Sequence, residues 1–113
     1  MPHDGSGHRA RLRQRLAEGG PEALLDHEVI EYLLALAIPR RDTKPLAKAL
    51  IARFGSLGSV LSADWTTLAR MPGLSDTSIA ALKIAQAAAL RMLKSEVAQR
   101  PVLSSWQALL DYL

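Results

Sequence analysis

The feature that most limits how this chain can fold is its punctuation. A leucine- and alanine-rich sequence is interrupted at short intervals by Gly19-Gly20-Pro21, Pro39, Gly55, Pro72-Gly73 and Pro101. Proline has no N–H for a helical hydrogen bond, and glycine turns readily into left-handed backbone, so each site ends or redirects a helix. Between the breakers, 20 Leu and 18 Ala of the 113 residues favour helix, against 13 Val, Ile and Thr. No segment alternates as a half-buried strand would. The expectation is an all-α fold, a compact helical bundle of short helices.

The breakers and apolar spacing place the helices. A first helix is expected over about 7–18, with Leu12 and Leu16 facing inward, followed by a helical turn from Pro21 to Leu25. Asp26 is suited to cap a second helix, 27–38, whose later half from Leu33 to Ile38 is apolar all round and marks the central, most buried helix. Asp42 or Thr43 caps a third, about 45–53, in which Leu46, Leu50 and Phe54 recur every four residues beside Ala47 and Ile51. A short helix over 57–61 and another ending near Met71 follow, the latter capped by Ser62 or Asp64. Ser75 or Asp76 then opens a long helix to about Ala98, with Ile79, Leu82, Ala89, Leu93 and Val97 as its core face. A last helix is expected over 105–113.

Charge is distributed unevenly. The net +3 conceals −2 over residues 1–39, +6 over 40–100 and −1 over 101–113. A basic stretch suits a nucleic-acid partner and is also what an ordinary solvated helical surface looks like. The absence of cysteine excludes a disulfide framework and a thiol nucleophile. No Ser/His/Asp, paired-carboxylate or phosphate-loop pattern of an enzyme occurs, so no catalytic residue and no cofactor are expected. The longest apolar run, Tyr32 to Ile38, is far short of the roughly 20 residues that span a bilayer. With no apolar run in residues 1–20, the expectation is a soluble cytoplasmic chain with no membrane partner.

The most informative stretch runs from Leu68 through Met71-Pro72-Gly73-Leu74-Ser75 to Leu82: helix, tight turn, helix. It resembles the helix-hairpin-helix DNA-binding motif, whose hairpin reads Gly-apolar-Gly. In that reading Gly73 turns the backbone and admits a phosphate, Leu74 fixes the hairpin angle, and N–H groups around Ser75, Thr77 and Ser78 meet the phosphate. Ser75 replaces the motif's second glycine, Ile79 a usual alanine, and Asp76 brings a carboxylate to the N–H cluster. A second unit from Leu46 to Leu61 turns at Gly55, Ser56 and Gly58. Two such units, about 45–61 and 64–98, resemble a tandem helix-hairpin-helix domain, which grips phosphates without reading bases. The same duplication equally serves packing, each hairpin burying the other's apolar face.

Several segments together are similar to the N-terminal region of the RadC family: Gly7 to Leu12, Gly19 to Leu24, Asp26-His27-Glu28, and above all Ile38-Pro39-Arg40-Arg41-Asp42-Thr43-Lys44-Pro45-Leu46-Ala47-Lys48. The resemblance implies a helical domain over 1–100 and, over 101–113, the start of a JAB/MPN metalloprotease-type domain. It also implies the historical label of DNA repair. The zinc ligands of that second domain, a His-x-His pair among them, have no counterpart here, because no histidine follows His27.

Other candidates have plainer explanations. His27-Glu28-Val29-Ile30-Glu31 approaches His-Glu-x-x-His but lacks the second histidine, so no metal site is expected, Glu31 reads as a solvated residue and His27 as a first-turn residue. Arg9/Arg13 and Arg11/Arg15 form two stripes that suit phosphates or ion pairs with Glu18, Glu22 and Glu28, and the local excess of acid favours the pairs. Trp65 and Trp106 fit the core better than base stacking. Arg40, Arg41, Lys44 and Lys48 cluster beside the first hairpin and are candidate phosphate contacts. Two functions follow: a DNA-backbone-binding module, or an interaction domain that positions the chain's own C-terminal domain and contacts proteins.

Overall fold

The computed structural model describes residues 6–99 and 109–112. Six α-helices succeed one another: α1 (Ser6–Gly19), α2 (Asp26–Ala37), α3 (Lys44–Phe54), α4 (Leu57–Ser62), α5 (Trp65–Ala69) and α6 (Asp76–Gln99), with a 3-10 turn at Pro21–Ala23 between the first two. Residues 109–112 are helical. The described residues contain no strand, and the all-α bundle expected from the sequence is the fold observed. The rest of the expected last helix, including Trp106, lies outside the described residues.

The breakers act where their chemistry predicts. Gly20, Gly55 and Gly73 are the residues with positive φ, at 77°, 97° and 93°. Gly55 ends α3 in left-handed backbone, its N–H donating to the Ile51 carbonyl at 2.7 Å. At Gly73 the direction a side chain would take leads to Leu46 of α3, 3.4 Å from where a Cβ would stand. The second turn therefore rests on α3.

α2 is the hub and packs against α1, α3, α4 and α6. The core gathers Ile30 and Leu34 of α2 with Ala47 and Leu50 of α3, Val60 of α4, Leu68 of α5, and Ile79 and Leu82 of α6. Burying each large aliphatic side chain contributes about 1.5–3 kcal/mol. Helices as short as α4 and α5 have almost no stability alone, so this shared core is what holds them.

Four expectations about burial change. α2 is central, but its buried face is Glu28, Ile30, Glu31, Leu34 and Ala35, whereas Leu36 in its apolar half is 67% exposed. Leu16 is exposed rather than inward and borders a shallow apolar groove with Pro21, Leu24 and Val29. Trp65, placed in the core by its amphipathic helix, is 44% exposed. In α6 Ile79 and Leu82 are buried, but every residue from Ala88 to Gln99 is exposed, Ala89, Leu93 and Val97 among them. The reason is length. A 24-residue helix extends about 36 Å, and the short helices beside it cover only its first turns.

Leu34→Ala should cost about 2–5 kcal/mol in denaturant unfolding, because it opens a cavity in the shared core. Gly55→Ala and Gly73→Ala should each cost about 1–3 kcal/mol from the forced positive φ. Gly73→Ala should be no worse than Gly55→Ala, since its new methyl meets Leu46 at ordinary contact distance. A markedly larger loss at Gly73 would contradict that packing.

Candidate nucleic-acid interface

The first hairpin is closed by its own side chains. Ser56 is the N-cap of α4: its Oγ accepts from the Ser59 N–H at 3.0 Å and donates to Ser59 Oγ at 2.9 Å. Gly55, Ser56 and Gly58 are all exposed.

The second hairpin is tied more tightly. Leu74 packs against the core. The Ser75 N–H donates to Ser78 Oγ at 2.8 Å, and that hydroxyl donates back to the Ser75 carbonyl at 3.0 Å. Ser75 Oγ lies 3.0 Å from Thr77 Oγ1, and the Ile79 N–H reaches the Ser75 carbonyl at 2.9 Å. Ser75 and Thr77 are exposed, whereas Ser78 is fully buried. Gly73 is exposed to solvent, but the space its missing Cβ leaves faces Leu46.

The cations sort into two groups. Those of α1 are largely engaged by the fold: Arg9 donates to the Pro39 and Arg41 carbonyls, Arg13 to Tyr32 Oη at 3.2 Å, and Arg15 to both carboxylate oxygens of Glu28 at 2.8 and 2.9 Å. The Arg40, Arg41, Lys44 and Lys48 side chains have no hydrogen-bond or ion-pair partner among the described residues. Lys44 and Lys48 lie one turn apart on α3, while Leu46, which the Gly73 turn meets, stands about 200° round the helix from Lys44 and so on the opposite face. The turn at Gly55 lies at the other end of α3, about 13 Å along the axis from Leu46. The second turn thus meets the start of α3 on the face turned away from Lys44 and Lys48, and the first turn lies at the opposite end of the helix.

At the start of α3 the side-chain bond to the backbone comes from Asp42, while Thr43 ties the loop to α2. Asp42 Oδ1 accepts from the Lys44 N–H at 3.1 Å, while the buried Thr43 hydroxyl donates to the Glu31 carbonyl of α2 at 2.7 Å. Arg9, from α1, holds the carbonyls of the same loop. The loop carrying Arg40 and Arg41 is therefore fixed from two helices.

Two acids on α2 were undervalued by sequence reasoning. Glu31, expected to be solvated, is 2% exposed, and His8 Nε2–H donates to its carboxylate at 3.1 Å. Glu28 is buried as well, and besides Arg15 it accepts from the Leu25 N–H at 2.8 Å. The pairing of α1 arginines with Glu28 is as the local acid excess suggested, but through Arg15 alone. Glu28 and Glu31 are three residues apart and so share one helical face, a spacing that signals a common partner surface. The Arg15 guanidinium holds the Glu28 carboxyl down at about 2, against burial, which pushes it up, with the Leu25 N–H also lowering it. Among the described residues no group of three or more His, Asp or Glu is placed to hold a metal ion, and no helix is long and apolar enough to cross a membrane.

Fold and turns together define an all-α bundle carrying two helix–glycine–helix units. The chain is 52% identical over 101 residues to a Rhodobacter capsulatus protein named UPF0758 protein, a match covering 89% of this chain and 47% of that one. It is 47% identical over 112 residues to a UPF0758 protein of Ruegeria pomeroyi, covering 99% of this chain and 50% of the relative. The chain spans about half the length of the curated relatives it matches. No protein-family model and no solved structure matches it.

A carboxyl with a folded pKa near 2 and an ordinary value of 4.5 stabilises the fold above pH 4.5 and loses that contribution as pH falls toward 2. Glu28→Gln should cost about 1–3 kcal/mol at neutral pH. It should also flatten the acid limb of a Tm-against-pH profile between pH 4.5 and 2. Parallel acid limbs in the two proteins would contradict the pairing.

Proposed function

We propose that this chain is the non-catalytic N-terminal helical module of a RadC-like protein and binds the backbone of DNA without regard to sequence. UPF0758, the name its relatives carry, is the RadC-like family. The observation that carries the reading is the partition of cations. Arg9, Arg13 and Arg15 are engaged within the fold, whereas the Arg40, Arg41, Lys44 and Lys48 side chains have no hydrogen-bond or ion-pair partner among the described residues. Unpartnered cations on a fixed loop and helix are what phosphate contacts require, and such contacts position a duplex without reading it. Gly55, Ser56, Gly58, Gly73, Leu74, Ser75 and Thr77 belong to the two turns, which in this reading offer a further phosphate-binding surface. Ser78 supports it from below rather than touching DNA, because it is buried.

Fluorescence anisotropy with duplex, single-stranded and branched DNA across a salt series tests the reading. Each duplex phosphate contact should add about 0.9 to the log–log salt slope. Arg40→Gln with Lys48→Gln should therefore lower the slope by about 2. No binding to any of these DNAs at low salt would sink the proposal.

One observation favours a second reading, an interaction domain that positions the remainder of a longer protein. From Ala88 onward α6 is exposed while carrying Leu90, Met92, Leu93 and Val97, and Leu109 and Leu110 are exposed too. An apolar helix face this long is ordinarily covered. Hydrogen exchange in this half of α6 should be slowed in the full-length protein relative to this chain. Equal exchange in both would count against it.

A further inference from the structure

One cleft joins residues that neither turn nor charge pattern had linked. It has a volume of about 260 Å3 and is lined by Arg53, Thr67, Arg70, Met71 and Pro72. Arg53 comes from the last turn of α3, Thr67 from α5, and Arg70, Met71 and Pro72 from the turn after α5. The cleft borders both hairpins: Arg53 stands two residues before Gly55, and Pro72 immediately precedes Gly73.

Both arginines are exposed, and neither side chain has a hydrogen-bond or ion-pair partner among the described residues. Two arginines lining one concavity bring two positive charges to it, and their repulsion is relieved when an anion enters. Each guanidinium presents a planar fork of donors, a shape matched to two oxygens of a phosphate. A carboxylate offers two oxygens and is satisfied by one fork. Two forks and the Thr67 hydroxyl call for an anion with more oxygens than that. Met71 and Pro72 supply an apolar wall, which strengthens polar contacts made against it. The room is ample, since about 10–15 Å3 already holds a water.

We propose that this cleft is a phosphate-binding site, with Arg53 and Arg70 as paired forks and Thr67 as a neutral donor, and that it takes one phosphodiester of a DNA backbone. The identity of the phosphate source rests on the DNA-binding reading above; the anion site itself does not. It gives the two turns a shared role: they place two arginines from distant parts of the chain at one anion.

Two measurements test it separately. In the first, 15N-labelled protein is titrated with inorganic phosphate at constant ionic strength. The Arg53 and Arg70 side-chain Nε–Hε resonances should shift and saturate, while those of Arg40 and Arg41 stay in place. No shift, or an equal unsaturating drift of all arginines, overturns the site. In the second, Arg53→Gln with Arg70→Gln is compared with the parent for duplex binding across salt, after matched thermal melts. The slope should fall by about 0.9, the value for one phosphate. An unchanged slope overturns a DNA phosphate in the cleft and leaves the DNA reading standing. Saturating phosphate shifts in a protein that binds no duplex support the anion site and overturn DNA as its source. Because the first measurement uses the unaltered protein, a variant that fails to fold does not shield the proposal.

Discussion

Two carboxylates buried on one helix are the constraint around which this bundle is arranged. α2 must place Ile30, Leu34 and Ala35 in the core and also take Glu28 and Glu31 out of water. A carboxylate loses several kcal/mol on leaving water unless partners replace its hydration. α1 supplies those partners, Arg15 to Glu28 and His8 to Glu31, while Leu12 alone anchors it apolarly in the core. The Thr43 hydroxyl adds a tie from the start of α3 to the Glu31 carbonyl. A helix with little apolar surface of its own is thus held in place by charge, and three of its four arginines, Arg9, Arg13 and Arg15, are withdrawn from other use.

That arrangement explains why the net charge of the chain is a poor guide to its surface. Acidic and basic residues of the first third largely satisfy each other or the backbone. Among the described residues, the cations from Arg40 to Arg70 have no ion-pair partner. The loop that carries Arg40 and Arg41 is nevertheless held rigidly, because Arg9 grips its carbonyls and Asp42 and Thr43 cap and tie its end. Fixed cations lose less freedom on meeting an anion than cations on a loose loop.

The sequence made the helices legible because their ends are chemical. Gly55 and Gly73 adopt the backbone that only glycine takes readily, and Pro39 and Pro45 bracket the loop between α2 and α3. Burial was less legible. Leu36, Leu93 and Val97 carry the periodicity of a core face, yet apolar spacing records that a face is suited to burial, not that a neighbour is present to cover it. Glu31 failed in the opposite sense: a glutamate is seldom buried, and its partner His8 lies in a helix 23 residues away. Among the candidate phosphate contacts, sequence sets Arg40, Arg41, Lys44 and Lys48 beside the first hairpin unit, whereas in the fold the Gly55 turn of that unit lies at the far end of α3. Arg53 and Arg70 went unnoticed because nothing in a one-dimensional pattern brings them to one cleft.

The proposed DNA binding requires that the fold divide its cations, engaging Arg9, Arg13 and Arg15 of α1 and leaving those between Arg40 and Arg70 to a phosphate backbone. A crystal structure of the chain with a short DNA duplex tests it most directly. The account predicts phosphates against Arg40, Arg41, Lys44, Lys48 and the Arg53–Arg70 cleft, with the Arg15–Glu28 pair intact. A duplex lying along α1, or one that breaks the Arg15–Glu28 pair to reach it, would contradict the account.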